Sequence, residues 1–131
     1  VRFCANQTIT GAGTATLQFN TVTYDPNGNF NTGTFLYTAP VTGYYFVAVN
    51  VSATYSNNNL RTLQLLRNGA TVTGYSENMS GITSTRASGK SFTTIIDLTA
   101  GQTLGFQMVN AGGNVTMQAN NTNMVIHFMS I

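Results

Sequence analysis

The chain is short of charge. Five Lys and Arg with three Asp and Glu make only 6% of its 131 residues, where a globular domain ordinarily carries about 25%. It has one cysteine, Cys4, no tryptophan and two prolines. Each scarcity excludes something. One cysteine excludes an internal disulfide framework and a thiolate metal cluster. Scattered cations (Arg2, Arg61, Arg67, Arg86, Lys90) form no basic patch to neutralise phosphates, so nucleic acid is not expected as a partner. No apolar run approaches the 18 residues of a membrane helix, and membrane insertion is not expected. The acids Asp25, Glu77 and Asp97 with His127 are too few and too dispersed for a carboxylate pair, a calcium loop or a zinc site. No Gly-x-Ser-x-Gly elbow occurs either. The expectation is a non-enzymatic domain without metal or cofactor.

Neutral polar residues replace the missing charge: 16 Asn, 22 Thr and 8 Ser, beside an ordinary 42% of hydrophobic residues. That hydrophobicity excludes disorder, and 131 residues make one domain, 1–131. Because the sequence opens on Val1 rather than Met, the expectation is a processed or excised domain that continues N-terminally. Five Asn-x-Ser/Thr sequons, at Asn6, Asn50, Asn78, Asn114 and Asn120, are about what chance gives in so Thr-rich a chain.

Alternation with period two recurs from end to end and predicts strands. Tyr45, Val47, Val49 and Val51 alternate with Tyr44, Phe46, Ala48 and Asn50. Leu63 and Leu65, then Phe92, Ile96 and Leu98, then Leu104, Phe106 and Met108 each share one parity. So do Met124, Ile126 and Phe128. Turn chemistry separates the runs: Asp25-Pro26-Asn27-Gly28, Asn68-Gly69, Ala100-Gly101-Gln102 and Ala111-Gly112-Gly113-Asn114. Many short strands so spaced predict an all-β sandwich or barrel.

Two segments, Tyr44–Val51 and Met124–Ile131, are apolar on both parities. An outward strand face in a monomer should be polar. A covering loop would explain this, and so would a second copy of the chain. On the second reading the candidate interface residues are Tyr44, Phe46, Ala48, Val125, His127 and Met129. His127 reads first as a hydrogen-bonded core or interface histidine; gathered about a symmetry axis, its copies would form a pH-sensitive cluster. Cys4 reads as a small buried hydrophobe sharing a face with Arg2. Tyr55, Arg61, Tyr75, Arg86 and Lys90, set among Asn, Thr and Ser, are candidate ligand-binding residues in polar loops.

Four motifs stand in a telling order. They are Tyr24-Asp25; Gly33-Thr34-Phe35; Gly43-Tyr44-Tyr45-Phe46-Val47; and Ile96-Asp97-Leu98-Thr99-Ala100-Gly101-Gln102-Thr103-Leu104, with the hairpin Leu63–Gly69 before the last. In this order they resemble the head domains of the C1q/tumour necrosis factor superfamily, with Gln102 where Asp is usual. The paired cysteines of some members are absent, and Asn123–Ile131 replaces the Phe-x-Gly-Phe ending of vertebrate heads. These departures point to the bacterial or viral branch, such as spore-surface collagen-like glycoproteins and phage spike heads. The resemblance implies a jelly roll of about ten antiparallel strands, assembled as a homotrimer at the tip of a fibre or collagen-like stalk. It would place the Gly43–Val51 strand and the last strand in the inner sheet. It implies an extracellular setting, on a spore, cell or virion surface. Two functions remain open: a head that binds a cell-surface receptor or carbohydrate, and a structural cap that nucleates and registers a stalk.

Overall fold

The computed structural model describes residues 7–56, 59–79, 84–119 and 121–131, and side chains outside 74–88. Eleven strands occupy these residues: β1 Gln7–Ile9, β2 Gly13–Thr16, β3 Phe30–Asn31, β4 Leu36–Thr38, β5 Gly43–Tyr55, β6 Arg61–Arg67, β7 Ala70–Met79, β8 Ser84–Leu98, β9 Thr103–Asn110, β10 Val115–Met117 and β11 Asn123–Ser130. All their pairings are antiparallel. They form two sheets. One runs β1-β10-β5-β11, with β8 along the other edge of β5; the second runs β3-β4-β9-β6-β7, with β2 also on β9. This is the all-β sandwich that the alternation predicts, with the jelly-roll form that the resemblance implies.

The inward parity of each run supplies the core. Tyr45, Val47, Val49, Val51 and Ala53 of β5 face Leu63, Leu65, Leu104, Phe106 and Met108 of the opposite sheet, all essentially inaccessible to water. Phe92 of β8 meets Phe106 of β9 edge-on, centroids 6.2 Å apart. Tyr45 is sandwiched edge-on between Tyr37 at 6.0 Å and Phe128 at 5.4 Å. A phenol can be buried here because its hydroxyl donates to the Val41 carbonyl at 2.6 Å.

The turns fall where the sequence places them, for local reasons. Asn68 and Gly69 both take positive φ, 51° and 78°, so β6 and β7 are joined by a two-residue hairpin whose twist suits the strands. Asn68 also docks the hairpin on β9: its Oδ1 accepts from Thr103 N at 2.9 Å. At the 25–28 turn, Gly28 N donates to Asp25 O, while Asp25 Oδ2 accepts from Phe30 N at 2.7 Å. Gln102 does by amide what a carboxylate would do, its Oε1 accepting from Thr99 N at 2.9 Å.

Candidate functional site

Because β5 pairs with β8 on one side and β11 on the other, its outward residues stand in rows that can be read from the register. Asp97, Tyr44 and Ser130 form the first row, and Ile95, Phe46 and His127 the second. Thr93, Ala48 and Val125 form the third, and Ser91, Asn50 and Asn123 the fourth. The first three rows carry large apolar groups into solvent. Tyr44 is 53% exposed, Ile95 49% and Val125 52%, while Phe46 and Ala48 are half-buried and His127 is exposed; beyond the rows, Met129 is 50% exposed. The fourth row is polar and cross-linked: Ser91 Oγ donates to Asn50 Oδ1, and Asn50 Nδ2 donates to Asn123 Oδ1 at 3.3 Å.

Five of the six candidate interface residues, Tyr44, Phe46, Ala48, Val125 and His127, thus lie on one outward face, gathered by the pairing of two strands far apart in sequence; Met129 is exposed at the irregularity between Phe128 and Ser130, outside the rows. No loop among the described residues was needed to explain their parity, since several remain half exposed to water. Ile95, on β8, belongs to the same face and was missed by sequence reading. Its signal was the opposite parity to Ile96 in an otherwise alternating strand.

A groove of about 580 Å³ borders this face along β11 and shares Val125 and His127 with it. Its other walls come from the segment around Tyr24, Asp25 and Phe30, and from Pro40 and Val41. Tyr24 is 83% exposed at its mouth. Tyr37 also lines it, its phenol pushed up from 10.0 to about 12, first by burial and then by Tyr45 and Asp25 nearby.

Three of the candidate ligand-binding residues, Arg61, Tyr55 and Lys90, do not stand in exposed loops and require correction. Arg61 is not an exposed loop residue: it begins β6, is 1% exposed and points inward on the parity of Leu63 and Leu65. Its guanidinium donates to Asn110 Oδ1 at 3.2 Å, to Asn59 O at 2.6 Å and to Gly112 O at 3.2 Å. It also lies 4.9 Å from the ring centroid of Tyr55, which is itself buried at the end of β5. The inward direction of both is dictated by strand parity, and neutral oxygens make burial of the cation possible. Its acidity is shifted by that burial, which lowers the pKa, with Tyr55 acting the other way. Asn110 completes the clamp, its Nδ2 donating to Gly11 O and Gly113 O at 2.7 and 2.8 Å. Lys90 is exposed on β8 rather than in a loop. The side chains of Tyr75 and Arg86, on β7 and β8, lie outside the described residues, as do Arg2 and Cys4.

Among the described residues no three His, Cys, Asp or Glu side chains converge, and no helix is long and apolar enough to cross a membrane. Arg67 and Asp97 form an exposed ion pair at 3.6 Å, of a kind that contributes little.

No curated protein sequence matches the chain. Among solved structures it is similar to the Eiger TNF of S. frugiperda, with a TM-score of 0.64 over 99% of this chain and 94% of that one, at 15% identity. At that identity the likeness concerns the fold, and it agrees with the two-sheet topology. The family model for the C1q domain matches residues 2–128, nearly the whole length. With the motifs from Tyr24 to Leu104 set on a jelly roll, the chain belongs to the C1q domain family.

Proposed function

We propose that the protein is a non-enzymatic, homotrimeric head domain that associates through the outward face of β8, β5 and β11 and presents its remaining surface for recognition outside the cell. C1q and TNF-like domains are typically extracellular, trimeric binding modules, and that frames the proposal. The observation that carries it is the set of apolar groups, Tyr44, Ile95, Phe46, Ala48 and Val125, that rows one to three turn outward. Exposed Tyr44, Ile95 and Val125 around half-buried Phe46 and Ala48 on neighbouring strands are what an interaction surface leaves when its partner is removed. Copies of the chain are the partner because association in a closed ring buries the same patch on every copy.

Light scattering tests this directly. Assembly gives about 42 kDa, three times the 14.0 kDa of one chain, and a particle of one chain's mass at micromolar concentration overturns it. Ala48→Arg, which sets a cation in the middle of the third row, is expected to yield folded single chains. A persistent trimer of this variant would place the interface elsewhere.

Recognition of a receptor or carbohydrate, at the tip of a surface fibre or collagen-like stalk on a spore, cell or virion, is the finer part of the proposal. Tyr24, at the mouth of the groove, supports it: an exposed aromatic beside a concave wall suits ligand contact. A structural cap is favoured instead by the inward turn of Tyr55 and Arg61, which removes two groups from the loops. Binding to a glycan array and to cells, compared between wild type and Tyr24→Ala with Lys90→Ala, separates the two. Binding that falls in the double variant supports a recognition head, and no binding by wild type leaves the cap.

A further inference from the structure

We infer that Asn50 is a specificity-determining residue for self-association: its amide sets the register and number of copies that the apolar rows hold together. The inference rests on the assembly reading above. Along β5 the outward face changes from Phe46 and Ala48 to Asn50 without changing direction, since all three share one parity. Whatever copy covers Ala48 and Val125 therefore meets Asn50 and Asn123 one row on.

An amide offers two N–H donors and an oxygen with two lone pairs. Within the sheet, Asn50 uses one donor toward Asn123 and one lone pair toward Ser91. A donor and a lone pair remain for a group across the interface. Apolar contact alone is non-directional and tolerates sliding or a different number of copies. A polar group buried without a partner costs free energy, so arrangements that leave the Asn50 amide unpaired are disfavoured. One buried asparagine fixes register and oligomer number in coiled coils by the same balance, giving up stability for uniqueness. Here the row Ser91–Asn50–Asn123 holds the amide in place before association, so little side-chain freedom is lost on docking.

Sedimentation velocity and native mass spectrometry of wild type, Asn50→Val and Thr93→Val test the idea. Thr93 is exposed one row away on the same face, and its substitution makes the same polar-to-apolar change without touching the amide. Wild type and Thr93→Val are expected as one species of three chains. Asn50→Val is expected to stay assembled but to split into at least two oligomers. If Asn50→Val fails to fold, Asn50→Thr, which keeps a hydroxyl for Ser91 and loses the outward amide, carries the same expectation. A uniform trimer for the folded Asn50 variant overturns this inference alone. A wild-type chain that sediments as a monomer overturns the assembly reading and this inference with it.

Discussion

Replacing Arg61 with Met probes the least expected feature of the fold, a buried cation satisfied by three neutral oxygens and a tyrosine ring. Met keeps the apolar stem and removes the fork. A hydrogen bond from a charged donor contributes about 1.5–3 kcal/mol, and a desolvated cation–π contact about 2 kcal/mol. Three bonds and one stack set a gross loss near 8 kcal/mol, reduced by the desolvation cost of the guanidinium, which Met does not incur. The carbonyls of Asn59 and Gly112 belong to loops at the end of the sandwich and regain water, whereas Asn110 is buried and retains its bonds to Gly11 and Gly113. The net expectation is a destabilisation of about 3 kcal/mol. For a domain of this size that lowers the melting temperature by about 10 °C. Arg61→Lys, a point charge that cannot span three acceptors, is expected to recover less than half of the loss. Denaturant and thermal unfolding followed by circular dichroism measure both variants, at a protein concentration where the oligomeric state is unchanged. Wild-type stability for Arg61→Met would refute the clamp; full recovery by Lys would show that charge rather than the fork matters.

Three further expectations concern single residues. The Tyr37 phenol, raised to about 12 in the folded chain, keeps its proton after an unfolded chain would lose it. Its contribution to stability is therefore complete below pH 10 and is lost as pH rises from about 10 to 12. In a tyrosinate absorbance titration, Tyr37→Phe should remove amplitude from the limb between pH 10 and about 12, and an unchanged upper limb would contradict this. Gly43→Ala sets a methyl against the Ser130 carbonyl and the Phe128 ring, where β5 meets β11; backbone cannot yield there, and a loss of about 2 kcal/mol is expected from denaturant midpoints. Leu65→Ala empties a fully buried position between the sheets, with an expected loss of about 3 kcal/mol by the same measurement; a change below about 1 kcal/mol would show that the core collapses around it.

What could be read from the sequence was local. The parity of Tyr45, Val47, Val49 and Val51 needs only period two, and Asn68-Gly69 needs only the tolerance of two adjacent residues for positive φ. The two-faced apolarity of Tyr44–Val51 and Met124–Ile131 was equally legible, because an outward hydrophobe breaks the alternation wherever the strand ends up. Pairing added what periodicity cannot give: that His127 stands opposite Phe46, and Val125 opposite Ala48. Arg61 failed as a loop residue for the complementary reason. Its parity with Leu63 and Leu65 points inward, yet a cation inward is acceptable only if oxygens await it. One of those oxygens is local, on Asn59, but the other two come from Asn110 and Gly112, about fifty residues later in the chain. The groove beside β11 has the same origin, in segments around Tyr24, Pro40 and His127 that meet only in the folded sandwich.

The scarcity of charge acquires a structural meaning from these contacts. Neutral pairs link neighbouring strands where ion pairs often stand: Thr8 with Thr116 at 3.1 Å, Asn50 with Asn123 at 3.3 Å, and Gln107 with Gln64 at 2.8 Å. Such pairs depend on geometry more than on ionic strength or pH, whereas the exposed Arg67–Asp97 pair is screened by salt. They also act differently from charges at an interface. A charged row at Asn50 would repel its copies across a symmetry axis, and an apolar row would let them slide. An amide both donates and accepts, so identical residues from symmetry-related copies can satisfy one another. A surface made of Asn, Thr and Ser is thus suited to meeting itself, and on the proposed assembly the apolar groups beside Asn50 would supply the free energy that the amides direct.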